Sequence, residues 1–159
     1  MASHESNHAA YLKGDVLWKQ GRFKEAAHSF LAAVNEWPED YQSFWALGNC
    51  YTELKKPRKA ERCFRQAIAL CPSADKPVLV FNLANALFDQ KRYASAITLH
   101  SQIPAGHALS RKAKRKNGAL LDSAESEGFS VLVTTDTNLK YQQNLAARKI
   151  ATVVLTTTS

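Results

Sequence analysis

The 159-residue sequence predicts a mainly all-α chain: three stacked helix hairpins and a capping helix, followed by a small strand–helix–strand segment. Three observations predict it. A set of small, aromatic and proline residues recurs every 34 residues. Apolar positions recur at three and four residues through 8–103, as amphipathic helices require. Two β-branched runs, 129–135 and 150–155, stand near the end.

The recurrence comes first, because a fixed period of this length defines a repeat architecture. Gly14, Ala26, Phe30, Ala33 and Pro38 return as Gly48, Ala60, Phe64, Ala67 and Pro72, with Leu17 and Tyr51 in the same register. A third copy continues at a spacing of 36: Leu83, Ala84, Leu87 and Ala96 follow Leu47, Gly48, Tyr51 and Ala60. Two residues are therefore inserted, within Ser73–Pro77. His100 stands where Phe64 did and Ile103 where Ala67 did, and terminal repeats are commonly atypical. Gly14 and Gly48 let the first helix of a hairpin approach the second, and Ala26 and Ala60 do the same from the other side. Ala84 and Ala96 take those places in the third copy. Phe30 and Phe64 are expected to fill the space between successive hairpins, and Pro38 and Pro72 to end the second helices. The predicted helices are 8–20, 24–36, 42–54, 58–70, 77–90 and 93–103. The predicted organisation is a disordered 1–7, hairpins over 8–40, 41–74 and 77–103, a basic linker or capping helix over 104–118, and a separate segment over 119–159.

These marks resemble the tetratricopeptide repeat (TPR) family over residues 8–103. The resemblance implies a right-handed superhelical array whose first helices line a concave groove for a peptide or helix of a partner protein. It places Tyr11, Asp15 and Trp18 in that groove from the first repeat, Gln42, Trp45, Asn49 and Thr52 from the second, and Phe81, Asn82, Asn85 and Phe88 from the third. Asparagine offers a donor and an acceptor to a peptide backbone, and aromatic rings are enriched at binding hot spots. For Trp18, Trp45 and Phe81 a second reading stands: packing between neighbouring helices. One variety of the family grips a terminal carboxylate with Lys and Arg. The groove positions here hold neither, and Asp15 lies between Lys13 and Lys19, so that clamp is not expected. The length and three-repeat plan are also similar to bacterial secretion chaperones.

The formal charge of +7 is unevenly placed. Residues 104–118 hold Arg111, Lys112, Lys114, Arg115 and Lys116 and no acid, whereas the first 103 residues hold 13 bases and 10 acids. The chain is thus not basic throughout, as a dedicated nucleic-acid binder often is. The patch reads as a solvated face, with nucleic acid or an acidic partner as the less favoured reading. Cys50, Cys63 and Cys71 match no zinc or redox spacing and read as small buried hydrophobes. The histidines lack metal-ligand spacing and no glycine loop cradles phosphate, so no metal, cofactor or enzymatic activity is expected from the repeats. There is no run of eighteen apolar residues, and MASHESNH is polar, so a cytoplasmic location without membrane contact is expected.

A helix is expected from about 107, and ALLDSAESEG reads as another, ended by Gly128. FSVLVTT reads as a strand, DTNLKYQQNLAARK as a helix starting after Asp136 or Thr137, and IATVVL as a second strand. That order implies a right-handed parallel unit. Residues 117–155 resemble the second half of a bacterial PIN-like domain, most specifically in VLVTTDTNL and YQQNLAARKIA. The resemblance implies, as the alternative function, a metal-dependent ribonuclease of the toxin type or an inactive nucleic-acid-binding relative, with Asp136 where one acidic ligand would lie. The other reading of Asp136 is a helix cap. The family's leading strand and its acids have no counterpart here, and Asp122, Glu125 and Glu127 share one helix. A two-stranded parallel sheet cannot bury both faces by itself. It docks on the repeats, pairs with a second chain through its edge, or stays loose.

Overall fold

The computed structural model describes residues 2–129, 131–134 and 151–154. The chain divides into two compact units, Met1–Leu79 and Val80–Ser159.

The first unit holds two helix hairpins, α1 (Ala2–Lys19) with α2 (Phe23–Glu36), and α3 (Tyr41–Glu53) with α4 (Pro57–Leu70). Their boundaries fall within a residue or so of the sequence expectation, except at the start. Residues 2–7, expected to be disordered, continue α1, since neither proline nor glycine interrupts the chain before Gly14.

Each hairpin turn closes in the same way. Gly21 has φ +74°, with Arg22 N–H donating to Leu17 O at 3.0 Å and Gly21 N–H to Trp18 O at 2.9 Å. Lys55, 34 residues on, has φ +55°, with Lys56 N–H on Tyr51 O at 2.8 Å and Lys55 N–H on Thr52 O at 3.0 Å. This is the six-to-one closure of a left-handed helix cap. Asp40 caps α3: its carboxylate accepts from the backbone N–H of Gln42 and Ser43 and from the Ser43 hydroxyl. Pro57 opens α4 at a position where a missing N–H costs nothing. Trp37 and Cys71 make the last amide bonds of α2 and α4, to Ala33 O and Ala67 O, and Pro38 and Pro72 stop the helices there.

The core of this unit joins Leu17, Ala26, Phe30 and Val34 of the first hairpin to Leu47, Cys50 and Cys63 of the second, with Tyr51 packed against them. Ala33, Ala60 and Ala67 are fully buried. Phe30 and Phe64, expected to fill the space between hairpins, press on the glycine of their own hairpin. A Cβ on Gly14 would lie 2.7 Å from Phe30 Cε1, and one on Gly48 2.5 Å from Phe64 Cε1.

α5 (Lys76–Phe88) leads into the second unit, which continues with α6 (Tyr93–Ser101) and α7 (Ser110–Ser126). Lys91, 36 residues after Lys55, has φ +61°, and Arg92 N–H donates to Leu87 O at 3.0 Å. The same turn therefore recurs at the spacing that the third copy required. Leu83, Ala84, Leu87, Ala96 and Ile97 are buried.

The helices expected from about 107 and over 119–128 are one continuous helix, α7, and the junction expected at 118/119 falls inside it. Gly118 does not break it, because Ala113, Asn117, Leu120, Leu121 and Ala124 form a single buried stripe. Gly128, at φ +83°, ends it, with Phe129 N–H on Ala124 O at 3.0 Å. Polar and ring contacts fasten α7 and the residues just after it. His100 Nδ1 meets Asn117 Oδ1 at 2.8 Å, Lys91 pairs with Glu127 at 3.1 Å, and the Phe129 ring meets Tyr93 edge-on at 5.7 Å. Strands β1 (Val131–Thr134) and β2 (Ala151–Val154) pair in parallel, Val131 opposite Ala151 and Thr134 opposite Val154, with β1 beside α6. Asp136 and the helix expected after it lie outside the described residues.

Candidate functional site

On α1, Tyr11, Asp15 and Trp18 are spaced by four and three residues and so share one face. Gln42, Trp45 and Asn49 do the same on α3. These six residues, with Phe30 and Ala46, line one cavity of about 210 Å³. All six were expected to stand together. Thr52, also expected there, is not part of the wall, and its hydroxyl donates to Gly48 O at 3.1 Å. Phe30 and Ala46 were not expected. A signal for Phe30 was present in the sequence: Gly14 lies between Tyr11 and Asp15, and its missing side chain lets the Phe30 ring reach the wall.

Three features define the chemistry of this cavity. First, it is aromatic: Tyr11 meets Phe30 edge-on at 5.4 Å, and Trp18, 38% exposed, stands 6.2 Å from Phe23. Second, among the described residues its one charged lining group is Asp15, which pairs with the exposed Lys19 at 2.7 Å, and none of those lining residues is Lys, Arg or His. Burial raises the Tyr11 hydroxyl pKa above its usual value, and the carboxylates of Asp15 and Asp40 raise it further. Third, the Trp45 indole N–H is buried and has no hydrogen-bond partner among the described residues.

The third-repeat positions belong to the second unit. Phe81 is 5% exposed and packs with Ile103, Ala113, Val80 and Leu109, so for this ring the packing reading applies. Its ring centroid is 5.2 Å from that of His100, and Lys112 Nζ lies 5.2 Å over it. Phe88 stands 5.7 Å from Tyr93, with Lys116 Nζ 5.9 Å from its centroid. Asn82 and Asn85 are half-buried. Of the basic patch, Lys112 and Lys116 thus rest on rings, while Arg111, Lys114 and Arg115 are exposed.

Burial pushes the Cys50 thiol up to about 12 and the Cys63 thiol to about 11, which removes them as nucleophiles near neutrality. Among the described residues, no three His, Cys, Asp or Glu are grouped so as to hold a metal ion, and no helix is long and apolar enough to cross a membrane.

The chain is similar in fold to the first TPR of Spaghetti (RPAP3) bound to the HSP90 peptide SRMEEVD, with 17% identity and a TM-score of 0.66, over 76% of this chain and 94% of that one. The Yersinia enterocolitica type III secretion translocator chaperone SycD is similar at 18% identity and a TM-score of 0.64, over 77% and 88%. The TPR2B domain of yeast Sti1, in its pHsp70 complex, is similar at 17% identity and a TM-score of 0.63, over 77% and 98%. No curated protein matches the chain by sequence. The tetratricopeptide repeat family model matches residues 11–75 and 53–103. With the duplicated hairpins, their paired glycine–phenylalanine contacts and their common turn, this match establishes that the chain belongs to the tetratricopeptide repeat family.

Proposed function

We propose that this chain is a protein-interaction module that holds a segment of a partner protein against α1 and α3. The observation that carries the proposal is the convergence of Tyr11, Asp15, Trp18, Gln42, Trp45 and Asn49 on one cavity. Two features suit a peptide backbone and side chain: the amides of Gln42 and Asn49, and a large aromatic area that includes the exposed Trp18. The similar TPR structures hold peptides of HSP90 and Hsp70, which supports peptide holding as the use of such a wall. The acidic lining argues for a different kind of peptide here. Asn82 and Asn85 belong to the same reading in the third repeat. The test uses the whole chain as bait, followed by titration with the purified partner. Trp18→Ala with Asn49→Ala is expected to weaken binding by about tenfold or more while circular dichroism stays unchanged. Unchanged affinity would remove the cavity from the interface.

The parallel pairing of β1 with β2 favours a second reading, for the C-terminal segment only. It is the arrangement that the expected strand–helix–strand order implies, and residues 117–155 are the stretch that resembles the second half of a PIN-like domain. With two short strands, it leaves edges that a second copy of the chain could extend. Self-association would appear as a concentration-dependent mass in light scattering. A nuclease would show metal-dependent RNA cleavage that Asp136→Ala abolishes.

A further inference from the structure

This inference rests on reading the cavity of α1 and α3 as the partner site: we infer that it selects a cationic side chain, lysine or arginine, of the bound segment. Four aromatic rings, Tyr11, Trp18, Phe30 and Trp45, and one carboxylate, Asp15, stand in its wall, with no basic residue among the described residues that line it. The face of an aromatic ring attracts an ammonium or guanidinium group within about 6 Å of its centroid, and tryptophan does so best. Asp15 supplies the counter-charge. A carboxylate in this cavity would meet like charge, and an aliphatic side chain would leave Asp15 unused.

The second unit contains its own instance of the contact. Phe81 stands 36 residues after Trp45, the spacing of the third repeat, and Lys112 Nζ lies 5.2 Å over its ring. Phe88 stands in the register of Thr52, with Lys116 Nζ 5.9 Å away. The third repeat thus satisfies its aromatic positions with lysines of the chain's own α7. In the first two repeats, the same register presents Tyr11 and Trp45 to a cavity whose lining holds no cation among the described residues. Lys19 now holds Asp15, but the pair is exposed and exchanges readily for an incoming base.

The experiment selects binders for the intact chain from a displayed library of random dodecapeptides, then titrates synthetic copies by tryptophan fluorescence. The enriched peptides are expected to share one Lys or Arg. Replacing it by Leu is expected to weaken binding by about tenfold, as is Asp15→Asn. Asp15→Asn should leave the Leu version unaffected. Lys19→Ala should tighten the cationic peptide by freeing Asp15. Lys19 is exposed and Asp15 is not part of the buried core, so these variants keep their helical circular dichroism. If the enriched peptides share Leu or Phe and respond to Trp18→Ala but not to Asp15→Asn, the cationic inference falls and the partner site stands. If no enriched peptide responds to Trp18→Ala or Asn49→Ala, both fall.

Discussion

Gly48 lies so close to Phe64 that a methyl group cannot be placed between them: a Cβ there would sit 2.5 Å from ring Cε1 and 2.8 Å from Cδ1. Gly48→Ala therefore pits two effects against each other. Alanine gains about 1 kcal/mol of helix propensity over glycine. Overpacking a buried ring costs about 1–3 kcal/mol, so the expected net effect is a loss of up to about 2 kcal/mol in urea denaturation. The third repeat shows how the chain resolves the conflict, with Ala84 and His100 at the corresponding positions. Gly48→Ala combined with Phe64→His should accordingly show a favourable coupling of about 1 kcal/mol. Additive single effects would disprove the steric account.

The three hairpin turns offer a test of backbone strain. Gly21, Lys55 and Lys91 occupy one register and all have positive φ, but only the first is glycine. A non-glycine residue in this conformation costs on the order of 1 kcal/mol. Lys55→Gly is expected to raise stability by about 0.5–1 kcal/mol, because Lys55 lies outside the helices, whereas Lys91→Gly gains less because it also removes the ion pair to Glu127. Gly21→Lys should lower it by a similar amount. A destabilised Lys55→Gly variant would show that the side chain contributes more than its backbone costs.

The repeat was legible in the sequence because its marks answer to contacts that recur. Gly14 with Phe30 and Gly48 with Phe64 are the same steric pair, so the spacing predicts both hairpins, and the family resemblance then implies the face that Tyr11, Asp15 and Trp18 share. Where the contact partner comes from outside the repeat, pattern reading fails. Phe81 has the register of Trp45, but whether a ring is open or covered depends on what packs beside it, and Ala113 comes from α7 and Leu109 from the residue that caps it. Reading 104–118 and 119–128 as separate pieces failed for a related reason. A change from basic to apolar composition suggested a boundary, although Asn117, Leu120 and Leu121 continue one buried stripe through it. The third repeat's loss of phenylalanine fits a terminal repeat, but the sequence does not say what replaces the ring. It is an exchange, because His100 at that position provides a polar anchor for α7.

The thiols report on how the first unit opens. Cys50 is fully buried, and burial is the largest cause that pushes its pKa to about 12, with the nearby Cys63 adding to it. At pH 8 only a minute fraction is thiolate, and the thiolate is the reactive form. Native-state labelling of Cys50 and Cys63 by a water-soluble disulfide reagent is expected to proceed only through unfolding of the helix pairs, and so to slow in step with added stability, for example in Lys55→Gly. Rapid labelling at a rate independent of stability would contradict the burial.

His100 makes folding sensitive to mild acid. Its ring is 3% exposed, Nδ1–H donates to Asn117 Oδ1 at 2.8 Å, and Nε2 is buried with no hydrogen-bond partner among the described residues. Burial lowers the pKa below the ordinary 6.5. The hydrogen bond to Asn117 partly opposes this, and Lys116 lowers it further. The sign follows directly. Above pH 6.5 the ring is neutral in both the folded and the unfolded chain, and the full stability is present. Below it, the unfolded chain takes up a proton that the folded chain resists, so stability falls as pH falls, until the folded pKa is reached. The slope approaches about 1.4 kcal/mol per pH unit at most. Glu25 and Glu127, whose pKa values are lowered by Arg22 and by Tyr93 with Lys91, lose their contributions only below their ordinary 4.5. The interval from pH 6.5 to 5 therefore isolates the histidine. Urea midpoints across that interval should fall in the native chain and stay flatter in His100→Gln. Asn117→Ala removes the acceptor and is expected to cost about 1–3 kcal/mol at pH 7.5, where no protonation is involved. Parallel pH profiles for the native chain and His100→Gln would show that His100 is not the group that loosens α7 in acid.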